Sequence, residues 1–285
     1  MSLKEALRKA ETIIASQNIP DAHIEAELLL RHSLGMEKVE LYTRLDQPLS
    51  FSESERFWGL VQQRLRHEPT AYITKQCQFY GIDFYVDSRA LIPRPESELL
   101  VEITLEFVRQ RLPAGEAFSL VDVGTGSGAL AIAVALHLPQ ANIYAVDVSA
   151  QALEVARINC EKHGVTEQVH LLLGDMLEPL PEPVTVILAN LPYVTDVEMP
   201  QLMPEIRDFE PVVALAGGAD GLEKVRRLLP QAKERLLPGG LLLMEIGQGQ
   251  GTVAAALARS YFPAGQVDST PDLGGVDRVV RVLTR

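Results

Sequence analysis

The chain has 285 residues and a mass of 31.3 kDa, with 38 acidic and 26 basic side chains and a net charge of -12. Apolar residues at 47% and charged residues at 22% describe ordinary globular material, and no apolar run approaches the about 20 residues of a membrane span. Residues 1–75 hold 10 basic and 11 acidic residues, so -11 of the charge lies in the remainder, which opposes a broad grip on a phosphate backbone.

The N-terminus is charged and amphipathic with no apolar signal core, so a cytoplasmic location is expected. Leu3, Leu7, Ala10, Ile13 and Ile14 recur at helical spacing. Asp21 reads as the N-cap of a second helix that Gly35 closes. A short helical stretch follows near Lys38 to Arg44, and the run from Ser52 to Glu55 resembles a capping box ahead of Phe57, Leu60, Val61 and Leu65. Residues 1–75 are therefore expected to form a small helical bundle, with pairs such as Glu25 and Glu27 near Arg31 on solvated faces.

From Gln78 the pattern changes. Aromatic and β-branched residues around Gly81 predict a linking hairpin within 76–90. A proline-flanked loop, Leu91 to Glu96, then leads to a helix ending near Arg111, and Arg94 with Glu96 reads as closing a site or pairing at the helix start. Strands are expected at Ser119–Val123, Asn142–Val146, Val169–Leu173, Thr185–Ala189, Gly240–Glu245 and Arg278–Leu283. Helices are expected at 128–137, 150–163, 221–236 and 249–260. The alternation predicts an α/β fold for residues 91–285, a mostly parallel sheet with helices on both faces. The cysteines, Cys77 and Cys160, read as packing residues, and the six histidines show no metal-ligand spacing.

Chemistry concentrates at the predicted strand ends. Gly124, Thr125, Gly126, Ser127 and Gly128 follow the first strong strand and open a helix, and glycine there lets a backbone approach a ligand closely. Asp147 ends the next strand, placed to accept hydrogen bonds from ribose hydroxyls. Asp175 and Met176 end the third, where a carboxylate can meet an adenine amino group and a thioether can cover a ring; the alternatives are a solvated loop carboxylate and a core methionine, the latter equally good for Met176. The spacing also fits a dinucleotide fingerprint, so the turn alone leaves the cofactor open.

The fourth strand runs into Asn190, Leu191, Pro192 and Tyr193. The Asn190 amide oxygen can accept one N–H. Pro192 biases Leu191 to an extended backbone, which can aim its carbonyl outward as a second acceptor. Tyr193 offers a flat wall. Two acceptors side by side suit a planar NH₂ group whose lone pair is delocalised, and fixed dipoles with proximity can supply most of the rate. Asn190 and Tyr193 are the candidate catalytic residues.

The set as a whole resembles class I S-adenosylmethionine-dependent methyltransferases. It is more closely similar to the HemK/PrmC family, which methylates the glutamine side-chain amide in the Gly-Gly-Gln motif of peptide chain release factors. The resemblance runs through Phe79 to Gly81, Leu91 to Glu96, Val123 to Gly128, Glu210 with Pro211, Gly217 to Leu222, Glu245 to Gly247 and Asp277 to Val280. It implies a Rossmann-like domain with a seven-stranded sheet. It implies S-adenosylmethionine held by Gly124–Gly128, Asp147, Asp175, Met176 and Asn190, with S-adenosylhomocysteine as product. It implies the target glutamine at Asn190, Leu191, Pro192 and Tyr193, class I release factors as partners docked by the helical bundle, no metal, and no direct contact with nucleic acid or membrane. Leu191 stands where the family usually has proline, which also makes the turn similar to that of ribosomal-RNA adenine dimethyltransferases; a nucleic-acid adenine N6-methyltransferase is the alternative. Those enzymes place their helical domain last, whereas here it comes first. A nicotinamide oxidoreductase would need a catalytic Tyr-Lys, His or Cys pairing that does not follow the strands.

Overall fold

Leu3, Leu7, Ala10 and Ile14 lie on one buried face of the first helix, α1 (Leu3–Ala15), as their spacing requires. The computed structural model describes residues 1–113 and 115–285. Its first unit comprises Met1–Gln76 with the later segment Met203–Phe209. Here α2 (Ala22–Leu34), α3 (Lys38–Thr43), α4 (Phe51–Arg64) and α5 (Thr70–Thr74) follow α1. Leu29, Leu30, Leu41, Phe57 and Val61 complete the core.

Three local expectations are corrected. The capping box belongs to Ser50 and Glu53, not to Ser52 and Glu55: the Glu53 N–H donates to Ser50 Oγ at 3.3 Å and the Ser50 N–H to Glu53 Oε2 at 2.8 Å. The helix begins two residues earlier because Phe51 and Ser52 already have helical backbone. Asp21 occupies the cap position of α2 with φ 51° and makes no side-chain cap bond; its backbone is left-handed, not the extended form a capping residue adopts. The acidic residues of α2 are not solvated ornament either. Arg64 is 3% exposed and donates from Nε to Glu25 Oε2 at 3.0 Å and from Nη1 to Glu205 Oε1 at 3.0 Å. A buried guanidinium needs such partners, because desolvating an unpaired charge costs several kcal/mol (about 3–5 when one partner is removed). Glu205 lies in the segment Met203–Phe209, 141 residues away in sequence, which is why local pattern did not reveal the cluster.

The second unit comprises Cys77–Leu202 with Glu210–Arg285. It opens with a hairpin of β1 (Cys77–Phe79) and β2 (Ile82–Phe84) around Tyr80 and Gly81, both with positive φ. The helix α6 (Glu98–Arg111) precedes β3 (Phe118–Val123), α7 (Ala129–His137), β4 (Ala141–Asp147), α8 (Ala150–His163), β5 (Val169–Leu173) and β6 (Val184–Ala189). Then come β7 (Val194–Thr195), α9 (Pro204–Arg207, in the first unit), β8 (Ala216–Gly218), α10 (Glu223–Arg235), β9 (Leu236–Glu245), α11 (Gly251–Tyr261), β10 (Gln266–Pro271) and β11 (Asp277–Leu283).

The described residues form a seven-stranded sheet in the order β10-β11-β9-β6-β3-β4-β5. β9, β6, β3, β4 and β5 are parallel, and β11 and β10 close one edge antiparallel. This is the expected Rossmann-like α/β layering. The seventh strand, β10, was not foreseen from the residues alone. Its polar sequence ends in a proline and has no buried residue, which suits an edge strand and hides it from a hydrophobic pattern. Val121 and Val123 of β3 face a core shared with α10 and α11, while Leu120 and Asp122 point to the other face, where α6, α7 and α8 pack. Both cysteines are free, and burial pushes each thiol up to about 11, consistent with packing roles.

The cap assignment is testable by urea denaturation. Ser50→Ala is expected to lose about 1 kcal/mol of stability, with Ser52→Ala within a few tenths of wild type. Equal losses would contradict the Ser50 cap.

Candidate active site

β3 lies between β4 and β6, so the order of the chain reverses at its end. Ligands of open α/β sheets bind in the crevice beyond such a reversal. A cavity of about 310 Å³ opens there, walled by Gly124 and Gly126 after β3, Asp147 after β4, Asp175 and Met176 after β5, and Asn190, Leu191 and Pro192 after β6.

The glycine turn is anchored to β4. Gly124 and Gly126 have φ of 74° and 55°, a left-handed backbone that a side chain would strain. The Gly124 and Thr125 N–H groups donate to the Val146 carbonyl at 2.8 and 2.9 Å. The Gly126 N–H donates to Asp147 Oδ2, and the Ser149 N–H to Asp147 Oδ1, each at 2.9 Å. Each Asp147 oxygen keeps a lone pair for a ligand hydroxyl. Burial raises the Asp147 pKa, and the N–H donors act against that rise.

Of the five residues of the turn expected at a cofactor, Gly124 and Gly126 line the cavity, and Thr125, Ser127 and Gly128 are not among its lining residues. Thr125 turns inward and donates from Oγ1 to Asp122 Oδ2 at 2.7 Å. Asp122 is buried behind the turn, and desolvation pushes its pKa up to about 6. Ser127 is buried, and its carbonyl accepts from Asn159 Nδ2 at 2.9 Å. A Cβ on Gly128 would come within 3.3 Å of Ala156 Cβ, so that glycine serves the packing of α7 on α8.

Asp175 and Met176 lie together on the wall. The Asp175 carboxylate is paired with the Arg227 guanidinium. Met176 is 5% exposed and belongs to the core of the sheet, and it also lines the cavity.

Asn190 has one defined orientation. Its Nδ2 donates to Ser97 Oγ at 2.8 Å, and Ser97 Oγ donates to Glu245 Oε2 at 2.6 Å. One of the two Nδ2 hydrogens is thereby engaged, and Oδ1 remains as the acceptor. The Leu191 side chain is buried, and its Cδ2 lies 3.4 Å from where a Cβ on Gly124 would stand, so the two turns pack on each other.

Tyr193 does not wall this cavity as expected. It lines a neighbouring one of about 490 Å³ with Thr195, Asp220 and Gly247. Its backbone is clamped in that place: Gln250 Nε2 donates to the Tyr193 carbonyl at 3.0 Å, and a Cβ on Gly217 would fall 2.7 Å from Tyr193 Cα. Burial raises the Tyr193 pKa, so the hydroxyl stays protonated.

Arg94 and Glu96 are not partners. Arg94 Nη2 donates to Glu210 Oε1 at 2.6 Å, while Glu96 is exposed. Ser97, Arg89, Lys224 and Arg227 line the cavity or support it without a signal in the sequence, and Glu245, a strand-end residue within the motifs that carry the resemblance, supports it through Ser97. Ser97 and Glu245 are 148 residues apart, so only the folded chain joins them. One signal was available: Glu245 is a carboxylate closing the apolar run Leu241–Met244.

Comparison with known proteins agrees along the chain. A family model described as PrmC N-terminal domain matches residues 5–74, and one described as Ribosomal protein L11 methyltransferase (PrmA) matches residues 101–208. The release factor glutamine methyltransferase of Moorella thermoacetica is 39% identical over 98% of this chain and 97% of its own. That of Gloeobacter violaceus is 40% identical over 90% of this chain and 88% of its own. In fold, the chain is similar to a solved methyltransferase from Pyrococcus furiosus, at TM-score 0.52 and 18% identity, covering 72% of this chain and 90% of that one.

Burial pushes the Glu245 pKa from 4.5 up to about 7, with Ser97 and Arg278 opposing the rise. The folded state therefore holds this proton more tightly than the unfolded chain. Its contribution to stability is full below pH 4.5 and is lost as pH rises to about 7. Denaturation curves across that range should show a fall of up to about 3 kcal/mol that Glu245→Gln flattens. An unchanged slope in the variant would place the titration elsewhere.

Proposed function

The chain belongs to the release factor glutamine methyltransferase family, and on that premise we propose that it transfers a methyl group from S-adenosylmethionine to the side-chain amide nitrogen of the glutamine in the Gly-Gly-Gln motif of class I release factors. The observation that carries this reading is the fixed Asn190 amide. Its nitrogen is tied to Ser97 through one N–H and its oxygen is left to accept, on the wall of the same cavity as the glycine turn.

The residues present fit the methyl donor. The left-handed turn at Gly124 and Gly126 leaves the backbone bare for an amino-acid end, Asp147 retains lone pairs for ribose hydroxyls, and Asp175 with Met176 offers an acceptor and an apolar face to adenine. S-Adenosylmethionine supplies a methyl group on a positively charged sulfur, which leaves as a neutral thioether. The protein supplies position. Asn190 Oδ1 accepts one hydrogen of the target amide, and the Leu191 carbonyl accepts the other. A carboxamide lone pair is delocalised into its carbonyl, so two fixed acceptors favour the pyramidal nitrogen that can attack. The N–C bond forms as the C–S bond breaks. The amide proton then leaves to water, since a methylated amide nitrogen is strongly acidic. Pro192 narrows the wall beside the amide, and Tyr193 braces the turn from the neighbouring cavity.

The match of residues 5–74 to the PrmC N-terminal domain supports assigning the helical bundle to docking of the release factor. The glutamine reading is favoured over the nucleic-acid adenine alternative by relatives matched across nearly the whole chain. The strongly acidic second unit points the same way. A cytoplasmic location, where release factors act, belongs to the proposal; among the described residues no helix is long and apolar enough to cross a membrane.

The reading is tested by methyl transfer to a purified release factor, with the glutamine-substituted factor and ribosomal RNA as controls. Label on the RNA, or on the substituted factor, would overturn it. Asn190→Ala is expected to lower kcat by roughly 100- to 1000-fold while the cofactor still binds within about threefold of wild type. Asp147→Ala should instead weaken the cofactor by at least about tenfold, because it removes both the ribose acceptor and the anchor of the glycine turn. Calorimetric titration with S-adenosylhomocysteine separates the two.

A further inference from the structure

We propose that Ser97 and Glu245 form a positioning relay for Asn190, a buried chain of hydrogen bonds that fixes which end of the Asn190 amide faces the cavity and thereby restricts the site to substrates that present N–H donors. The proposal rests on the reading of Asn190 as the acceptor in methyl transfer.

The relay has a direction imposed by chemistry. An ionised carboxylate only accepts hydrogen bonds, so the single hydroxyl proton of Ser97 goes to Glu245 Oε2 at 2.6 Å. Ser97 Oγ is then left with lone pairs alone on its other side, and these accept the Asn190 Nδ2 proton at 2.8 Å. Turning the Asn190 amide over would set oxygen against oxygen. Ser97 and Glu245 are each 3% exposed, so no bulk water offers a substitute partner.

The surroundings of the pair agree with this task. Ser97 closes a 3₁₀ turn, Pro95–Ser97, that runs into α6 with helical backbone, so its hydroxyl makes no cap bond and is left for the relay. Glu245 forms no ion pair among the described residues, although cations lie near it. Arg278 on β11 is engaged with Asp272 and the Ile246 carbonyl, and Arg94 on the proline-flanked loop is engaged with Glu210. Glu96 on that loop and the Tyr193 hydroxyl after β6 are the other groups facing it electrostatically. Glu245 is thus a carboxylate whose direct hydrogen-bond partner is Ser97.

Because burial sets the Glu245 pKa at about 7, the relay is also sensitive to protonation. Once protonated, the Glu245 hydroxyl can donate to Ser97. The Ser97 proton is then free to turn toward Asn190, and the constraint on the amide is lost. Ionised Glu245 is the form that holds Oδ1 toward the substrate.

The test uses the full chain with Ser97→Ala, Ser97→Thr and Glu245→Gln. Ser97→Ala is expected to lower kcat at least about tenfold with the KM for S-adenosylmethionine within about twofold, and Ser97→Thr to restore most of it, since threonine keeps the hydroxyl. Wild-type kcat should rise with pH through about 7, and Glu245→Gln should lose that limb. A second readout is independent of turnover. In protein labelled with ¹⁵N at asparagine, the Asn190 side-chain NH₂ signals should shift with pH in the wild type and stay still in Glu245→Gln. Wild-type kcat in Ser97→Ala, or Asn190 signals that do not titrate in the wild type, would overturn the relay. Titrating Asn190 signals in a wild-type protein that leaves release factors unmethylated would uphold the relay and overturn the functional reading instead.

Discussion

The site depends on a turn tied to its neighbouring strand. Three successive N–H groups after β3 donate to β4: two to the Val146 carbonyl and the third to the Asp147 carboxylate. A left-handed backbone has little intrinsic reason to persist, and these bonds supply it. With the turn held, α7 starts where it must, the cavity has a floor, and Leu191 has a surface against which to pack. Asp147 therefore both builds the turn and offers acceptors to whatever lies on it.

The same side of the sheet concentrates buried carboxylates. Asp122 lies behind the glycine turn and Glu245 behind Asn190, and desolvation raises both, to about 6 and about 7. A fold optimised only for stability would place apolar residues there. Keeping Glu245 ionised costs stability as pH rises, and that form is the one that orders Asn190. Stability and function pull in opposite directions at this residue, a common condition of active sites.

Leu191 illustrates how a departure from the family pattern is absorbed. Proline would fix one more backbone angle; leucine instead buries its side chain against Gly124 and fixes the turn by packing. The acceptor proposed there is a backbone carbonyl, which either residue carries.

Local pattern determined much of this protein. Apolar spacing and cap signals located four of the five helices of the bundle, the short α5 excepted, and continuous apolar runs located six of the seven strands of the main sheet, because both signals are written in adjacent residues. The glycine turn, Asp147 and Asn190 were legible for the same reason: each terminates an apolar strand, where the chain must emerge from the core. The tertiary structure alone decided the rest. The polar edge strand β10 carries no hydrophobic signature. Arg64 meets Glu205, Arg94 meets Glu210, and Ser97 joins Asn190 to Glu245 only when distant segments are brought together. Tyr193 turned to a second cavity because glycines far along the chain clamp its backbone. Hydrogen-bond partners of buried polar groups are chosen by proximity in space, and a sequence records that proximity only through the fold it produces.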